Sequence, residues 1–502
     1  MNMELVEDVT EGTAHGGRRL ISWRVSDWIM TKFHFVTLKD NRMLVYNPIT
    51  GAWEDEAEEV IKNLLETNLK EFITRNSVNE IIEHIRRSDY SDGLKGMDKD
   101  FINLKNGVYD IKKDELIPHG EVFGFVYCLP FNYNKNATCP KFMKFLKEVS
   151  NGDIELVVNI MEGFAYCLVP DYPIQKAFML VGSGSNGKST FLRVLMEFLG
   201  GKKNVSNVTL QSISNNRFSV ANLQFKLANI SYDLPDKAIY DSGMFKSLTG
   251  GDTISAEHKG VQRVQQFSNS AKMWFSTNKI PDVNDDSSAY YRRWNVCEFK
   301  VKFGEGNDIF SELVTDEELS GIFNLIMKFF YPVIIKNKKF TCSKDAETTR
   351  TMYLRMGNTV KAFADECMSF DPNGEIAKSD VYNLYVKFCN RHRMMFITEA
   401  GFWRALKSLV NYTERQKERG GNRWIFGQRV NISDGSASDA STASTSTTIS
   451  LYYNIFIELY EYRVKGIEAD ARDAVDVNTK NMENTENMEI SLEGDINDLP
   501  TE

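Results

Sequence analysis

A glycine-rich loop between an apolar strand and an amphipathic helix constrains the fold of this chain more than any other feature. Residues 177–181 form an apolar run of strand length, and the loop GSGSNGK follows at 182–188. Beyond it, apolar side chains recur at helical spacing until a Gly-Gly pair ends the run; they are Phe191, Leu192, Leu195, Phe198 and Leu199. A strand, a tight loop and a helix in this order predict an α/β fold.

The loop also has the residues that phosphate binding requires. It fits GxxxxGK[ST], and its small residues let successive backbone N–H groups converge on phosphate oxygens at the positive end of the helix dipole. Lys188 can then reach the β- and γ-phosphates, and the Ser189 hydroxyl can ligate Mg²⁺. A chance Gly/Ser-rich turn is the alternative, which the flanking strand and helix disfavour. We therefore expect ATP and Mg²⁺ to bind at nine successive residues: Gly182, Ser183, Gly184, Ser185, Asn186, Gly187, Lys188, Ser189 and Thr190.

Two later apolar runs end in side chains that suit the same site. The run at 227–232 ends at Asp233, whose carboxylate could hold Mg²⁺ and polarise the attacking water, with Asp236 as a helper. The run that begins at residue 271 ends at Asn278, a neutral amide that can bind the γ-phosphate and orient water. A single acid after an apolar run is common, and an Asn before Lys-Ile-Pro is typical of a turn. Their position downstream of the loop favours the catalytic interpretation.

Basic residues follow in two places. TISAE and VQRVQQF flank His258 and Lys259 in the manner of a hairpin with a basic tip, which could grip a phosphate backbone; a solvent-exposed loop is the alternative. The doublet Arg292 and Arg293 lies too far along the strand order to be assigned to its own phosphate loop. An arginine inserted into a neighbour's nucleotide site would couple adjacent subunits and predicts a ring.

Charge and composition exclude several classes of protein. Residues 466–502 hold 11 acidic and 2 basic side chains, so this tail accounts for the net charge of −9, and the acidic pI does not argue against nucleic acid. The seven cysteines are far apart and never form CxxC pairs, which disfavours zinc and disulfide frameworks. An acidic N-terminus and the lack of an uninterrupted membrane-length apolar run predict a soluble, cytoplasmic protein without a membrane partner.

The C-terminal third predicts a DNA-binding domain and a tail. Two helical patterns and then a basic turn at Gly420 and Gly421 between strands follow the order of a winged helix. Residues 375–433 hold 11 Lys and Arg against 5 Asp and Glu, which suits duplex DNA, although a protein-interaction domain with a basic rim is the alternative. Residues 434–448 are a Ser/Thr-rich linker, 450–466 form an aromatic segment of unassigned role, and the remainder is expected to be disordered.

Taken together, the ordered segments resemble a known family. GSGSNGKST, KLANISYDLPD, TGGDTISAEHKG, AKMWFSTNKIP and YYRRWNVCEF are similar to the superfamily 3 helicase domain of the phage/plasmid and poxvirus-type primase-helicases. The block INLKNGVYDI…LIPHG…CPKF…GFAY is similar to the domain that precedes the ATPase in that branch. The resemblance covers roughly residues 95–335 and continues more weakly to about 430.

This resemblance implies an AAA+ fold and a homo-hexameric ring that hydrolyses ATP to travel along single-stranded and forked DNA, usually 3′ to 5′. It makes Lys188 and Ser189 the Walker A pair, Asp233 the Walker B acid, and Asn278 sensor 1. It also makes Lys259, with His258, the DNA-contacting hairpin tip, and one of Arg292 and Arg293 the arginine finger. No adjacent pair of acids follows the Walker B strand, so Asp233 and Asp236 both stay candidates for activating water.

The sequence therefore predicts a replicative helicase encoded by a virus or plasmid, with an AAA+ P-loop core between an α+β N-terminal region and a C-terminal winged helix. The predicted parts are 1–94, the family-specific 95–170, the ATPase at 171–340, the winged helix at 345–433, and the linker and tail at 434–502. The N-terminal part lacks primase motifs, which leaves priming to a separate primase or polymerase. A packaging or remodelling motor, or an origin-binding initiator that uses ATP only as a switch, are the alternatives.

Overall fold

The computed structural model describes residues 3–12, 18–90, 94, 99–235, 239, 241–257, 264–304, 308–392, 394, 396–416 and 423–430. These residues belong to one compact unit, Met1–Ala437. The predicted linker at 434–448, the aromatic segment at 450–466 and the acidic tail lie outside the described residues.

The N-terminal region packs four helices around one apolar core that also includes residues of a small antiparallel sheet. In α3, apolar residues at intervals of four are all buried, and α4 begins at a capping box formed by Thr74 and Ser77. Residues 33–46 have the composition of a β-strand, and in the structure a turn at Asn41, where φ is 72°, divides them between two strands. The elements are α1 (Met3–Val9), β1 (Thr10–Gly12), β2 (Arg18–Leu20), α2 (Ser22–Met30), β3 (Phe35–Thr37), β4 (Met43–Asn47), β5 (Ala52–Glu54), α3 (Ala57–Leu69) and α4 (Arg75–Ser88).

A three-stranded meander and two helices come next. The pair Asn106-Gly107 is typical of a type I′ turn and predicts a hairpin at this place. The hairpin forms, but its turn is Lys105–Asn106 and neither residue has a positive φ, so the type I′ prediction is wrong. Gly107 instead begins the second strand at a φ of 150°, where a Cβ would lie 2.6 Å from the Ile117 carbonyl oxygen. The elements are β6 (Phe101–Leu104), β7 (Gly107–Asp110), β8 (Glu115–Ile117), α5 (Pro140–Ser150) and α6 (Ile154–Cys167).

The centre of the chain is a five-stranded parallel sheet in the spatial order β10-β11-β14-β9-β15. Its long strands are buried along their whole length, which is why they read as continuous apolar runs. Ligands of such sheets bind outside the carboxyl ends of the strands. The elements are β9 (Ala177–Val181), α7 (Lys188–Phe198), β10 (Val205–Ser206), α8 (Leu210–Asn215), α9 (Arg217–Ala221), β11 (Ala228–Ser231), α10 (Gly243–Gly250), β12 (Thr253–Glu257), β13 (Val264–Ser268), β14 (Lys272–Thr277), α11 (Ser288–Tyr291) and β15 (Trp294–Glu298).

Helices α12 (Phe310–Leu313), α13 (Asp316–Leu325) and α14 (Tyr331–Asn337) follow, with a π-helical turn at Ile326–Phe330 between the last two. Among the described residues, only the continuous helix 316–337 is long and apolar enough to cross a membrane, and 61% of its apolar window is buried. Such burial is what a core helix shows.

The C-terminal region places helices on one antiparallel sheet of spatial order β16-β18-β17. Its elements are α15 (Ala346–Gly357), α16 (Thr359–Cys367), β16 (Met368–Ala377), α17 (Lys378–Arg391), α18 (Glu399–Leu409), β17 (Thr413–Gln416) and β18 (Arg423–Val430). Gly420 and Gly421, the predicted wing tip, lie outside the described residues. Helix α15 belongs to two cores, because Tyr353 packs in the apolar cluster of the parallel sheet and Leu354 in that of the C-terminal region.

Candidate nucleotide site

The predicted phosphate loop connects β9 to the first turn of α7. Three of its residues adopt left-handed backbone conformations: Gly184 (φ 96°), Ser185 (φ 49°) and Gly187 (φ 84°). At position 187 a Cβ would lie 2.5 Å from Cγ1 of Val149 on α5, so both space and conformation require glycine there. Ser183, Ser185 and Ser189 are exposed on this loop. The backbone is thus shaped as an open loop over a helix N-terminus, as anion binding needs.

Lys188 ends the loop and begins α7, and within the part of the chain that the structure describes its ammonium donates hydrogen bonds to neutral oxygens alone. The Nζ atom donates to the carbonyl oxygen of Gly182 at 2.7 Å, to Oδ1 of Asn186 at 2.9 Å and to Oδ1 of Asn278 at 3.4 Å. Burial lowers its pKa, and the nearby charge of Asp233 opposes that shift. A largely buried cation held by neutral acceptors favours an anionic ligand, because a phosphate would supply the charge that its surroundings lack.

Asn278 and Asp233 reach the same edge of the sheet as the phosphate loop. Strand β14 lies between β9 and β11, so both residues follow the carboxyl ends of neighbouring parallel strands. The Asp233 backbone N–H donates to Oγ of Ser276 at 3.4 Å, which holds this acid beside β14. Asp233 is exposed and adopts a φ of 46°, in the left-handed region that Asp and Asn enter more readily than other residues with a side chain. Asp236 lies outside the described residues.

The arginine doublet lies at the opposite edge of the sheet. Trp294 pairs with Ala177, and the Ala177 N–H donates to the Arg293 carbonyl at 2.7 Å, so the doublet lies beside the amino end of β9. Five residues of strand, roughly 16 Å, separate that end from the loop. Arg292 is exposed and donates to Oε1 of Gln175 at 2.9 Å. Neither arginine is brought to the nucleotide site of its own chain.

Arg293 differs from its neighbour because it is buried. Only 8% of its surface is exposed, its Nη1 donates to the Ala289 carbonyl, and its Nε has no partner among the described residues. Burial lowers its pKa, and the adjacent charge of Arg292 adds to the effect. This buried position favours a structural role for Arg293 over insertion into a neighbouring subunit.

The predicted hairpin forms as β12 and β13, paired from Thr253↔Ser268 to Glu257↔Val264. Its tip, with His258 and Lys259, lies outside the described residues. Among those described, no group of three or more His, Cys, Asp and Glu side chains could hold a metal ion. A Mg²⁺ ion at Ser189 and Asp233 would therefore need oxygens from the nucleotide as further ligands.

The sequence analysis did not predict that the segment after β15 contacts the phosphate loop. The Phe299 N–H donates to the Val181 carbonyl at 2.8 Å, and the Phe303 N–H donates to the Ser185 carbonyl at 2.7 Å. Both contacts use backbone atoms, so no side-chain motif could have revealed them.

Comparisons with known proteins give two family matches. Residues 180–293 match a family of unknown function, DUF5906, which spans the site from β9 to the arginine doublet. Residues 18–151 match a family described as D5 N terminal like. The matched range runs from β2 to just beyond the end of α5. Neither match covers half of the chain.

One relative and several solved structures are also similar. A putative helicase, L207/L206, of Acanthamoeba polyphaga mimivirus is 24% identical over 221 residues, which is 42% of this chain and 23% of that protein. The matched part is therefore less than a quarter of the relative's length. An apo structure of the NrS-1 C-terminal region is 12% identical with a TM-score of 0.44, covering 81% of this chain and 99% of that one. A second apo form has a TM-score of 0.38 at 12% identity, covering 80% and 98%.

Proposed function

We propose that this chain is a nucleoside triphosphatase of the viral primase-helicase kind, which couples ATP hydrolysis to the unwinding of DNA. The observation that carries the proposal is the buried ammonium of Lys188, which donates to neutral oxygens of Gly182, Asn186 and Asn278, at the sheet edge where Asn278 and Asp233 meet the phosphate loop. Similarity to the D5 N terminal like family and to a putative viral helicase supports a viral replication enzyme. We propose that such an enzyme acts in the cytoplasm of a host cell.

We propose a role for each group of the site. The loop N–H groups and Lys188 bind the β- and γ-phosphates of ATP, and Asn278 orients the attacking water. Ser189 and Asp233 would hold Mg²⁺, which would neutralise charge on the phosphate oxygens. Asp233, or Asp236 beyond the described residues, accepts a proton from water.

Hydrolysis needs a second subunit in this proposal. An exposed Arg292 at the far edge of the sheet cannot serve its own loop, but it can enter a neighbour's site and stabilise charge as the phosphate is cleaved. A closed ring, which we propose to be a hexamer of AAA+ type, gives every site one such arginine.

Two surfaces would contact DNA. The tip of the β12–β13 hairpin, with His258 and Lys259, would hold single-stranded DNA in the ring and move it in the 3′ to 5′ sense. The C-terminal region has the helix and strand order of a winged helix, with α18 presenting Arg404 and Lys407 to solvent. We also propose a primase or polymerase as a partner of the chain.

The test uses the purified full chain with ATP, Mg²⁺ and a forked DNA substrate. We expect ATP hydrolysis that DNA stimulates, strand displacement, and loss of both with Lys188→Ala. The control is Lys144→Ala, which removes an exposed lysine on α5 and should change neither. DNA-stimulated hydrolysis without strand displacement would favour a packaging or remodelling motor. Origin replication that survives Lys188→Ala would overturn the helicase reading in favour of an initiator.

A further inference from the structure

Strand β15 connects two parts of the proposed machinery, one at each of its ends. Arg292 precedes the strand at the edge that we assign to a neighbouring subunit, and Phe299 follows it at the edge of the phosphate loop. The strand pairs with β9 along its whole length, from Trp294↔Ala177 to Glu298↔Val181. Because an extended strand is stiff along its axis, β15 holds these two ends at a fixed separation.

One side chain of the loop joins Lys188 to the end of that strand. Asn186 accepts a hydrogen bond from Lys188 Nζ at its Oδ1 (2.9 Å) and donates from Nδ2 to the carbonyl oxygen of Phe299 (3.3 Å). Only 3% of Asn186 is exposed, so neither bond is easily replaced by one to water. The lysine is thereby connected to β15 through a single amide group.

The space around this amide is shaped to receive it. A Cβ at Gly182 would lie 1.9 Å from Nδ2 of Asn186 and 2.6 Å from the Phe299 carbonyl oxygen. Any side chain at position 182 would therefore displace Asn186 or the end of β15. The first glycine of the loop thus makes room for the Asn186 contact, although its own φ is not in the left-handed region.

We propose that Asn186 is a positioning residue that couples the nucleotide site of one subunit to the arginine which that subunit inserts into its neighbour. This inference rests on the proposed ring. When Arg292 engages the neighbour's nucleotide, the displacement passes along the stiff strand β15, and the Phe299 carbonyl at its other end moves the amide of Asn186. Lys188 is then either retained on Oδ1 or released to the phosphate oxygens. Each site therefore responds to the occupancy of the next one through β15.

The test measures ATP hydrolysis against ATP concentration, together with the Kd of a fluorescent ATP analogue, for the full chain and five variants. Asn186→Ala removes both bonds, whereas the isosteric Asn186→Asp keeps the acceptor for Lys188 but cannot donate to Phe299. Arg292→Ala removes the other end of the connection, and it is also combined with Asn186→Ala. Asn222→Ala, at an exposed position after α9, is the matched control. Thermal unfolding establishes that each variant is folded.

We expect the Hill coefficient to fall to about 1 in both Asn186 variants and in Arg292→Ala. In Asn186→Ala, kcat should fall about tenfold while the Kd of the analogue changes less than about threefold. The double variant should be no slower than Arg292→Ala alone, because residues that act as one unit give non-additive effects.

A purely local role for Asn186 predicts otherwise. The losses of the single variants would then multiply in the double variant, the Kd would rise in parallel with the loss of kcat, and cooperativity would persist; any of these results overturns the coupling. If the wild-type chain binds the analogue but hydrolyses no ATP, the proposed function fails first, and the two failures are distinguished.

Discussion

The hydroxyl groups of Tyr290 and Tyr353 lie 3.0 Å apart inside the core, and Tyr353 donates its proton to the Pro281 carbonyl at 3.0 Å. Because Tyr353 has one proton to give, Tyr290 is the donor of the pair. Burial raises the pKa of both phenols, so both stay protonated at neutral pH. These two bonds join α15 to the segment that follows Asn278 and to α11, which directly precedes Arg292.

Removing the central hydroxyl should destabilise this junction. Tyr353→Phe leaves the Pro281 carbonyl and the Tyr290 hydroxyl buried without their partner, at a cost of about 1–3 kcal/mol in the free energy of unfolding. Urea denaturation measures the loss. Tyr382→Phe is the control, because its hydroxyl donates to the Ile397 carbonyl at an exposed place where water can substitute. Equal losses in the two variants would contradict the importance that we give to the buried pair.

A buried carboxyl group on α6 should make stability depend on pH. Glu162 is 1% exposed and accepts hydrogen bonds from the backbone N–H and the hydroxyl of Thr341. Burial raises its pKa from 4.5 to about 7. The folded chain then binds this proton more tightly than the unfolded chain, so the stabilisation is complete below pH 4.5 and is lost as pH rises through 7.

Glu162→Gln removes that titration and still offers an acceptor to Thr341. Between about pH 4.5 and 7, the wild type should lose about 3 kcal/mol of unfolding free energy relative to this variant. Denaturation series at several pH values measure the difference. Glu148→Gln, at an exposed position on α5, should run parallel to the wild type. If the unfolding free energy of Glu162→Gln also changed with pH in parallel with that of the wild type, the raised pKa of Glu162 would be contradicted.

Much of the candidate site could be anticipated because parallel strands end at one edge. Lys188, Asn278 and Asp233 each follow an apolar run, and a parallel sheet places such ends together. The contacts of Phe299 and Phe303 could not be anticipated, since their backbone groups have no side-chain pattern.

Turn geometry shows the same limit. Asn106-Gly107 predicted a type I′ turn from local preference alone. The turn moved by one residue because Gly107 pairs with Leu104 and closely approaches the Ile117 carbonyl on the third strand. That approach depends on a strand later in the chain, which local preference does not include.

The carboxylate that activates water can be identified by two substitutions. Asp233→Asn is a clean change because Asn tolerates the left-handed conformation that position 233 adopts, so the loss of charge is separated from backbone strain. We expect kcat to fall about a hundredfold or more with triphosphate binding retained. Asp236→Asn is measured beside it. Full turnover in Asp233→Asn with an inactive Asp236→Asn would transfer the role to Asp236.

The exposed member of the arginine doublet should act between subunits. Arg292→Ala should leave the melting temperature unchanged and lower kcat about a thousandfold without abolishing it, whereas Arg293→Ala should lower the melting temperature because a buried guanidinium and its bond to the Ala289 carbonyl are lost. An equimolar mixture of Arg292→Ala and Lys188→Ala subunits should regain roughly a quarter of wild-type turnover, since that share of interfaces has both groups. A mixture no more active than its components would exclude a shared site.

The exposed face of α18 should bind the phosphates of duplex DNA. In this helix Phe402 and Leu406 are buried in the C-terminal core, which directs Arg404 and Lys407 to solvent. If each contacts one phosphate, Arg404→Ala and Lys407→Ala should each lower the slope of log Kd against log salt by about 0.9, uniformly across DNA sequences.

Fluorescence anisotropy with duplex DNA at several salt concentrations measures this slope for the full chain. Lys336→Ala, an exposed lysine on α14, removes the same charge from a different surface and should leave the slope unchanged. An equal change in all three variants would mean that only net charge matters, because a specific face requires the effect to depend on position. An unchanged slope in the α18 variants would leave α18 without a DNA-binding role and would favour the protein-interaction alternative for the C-terminal region.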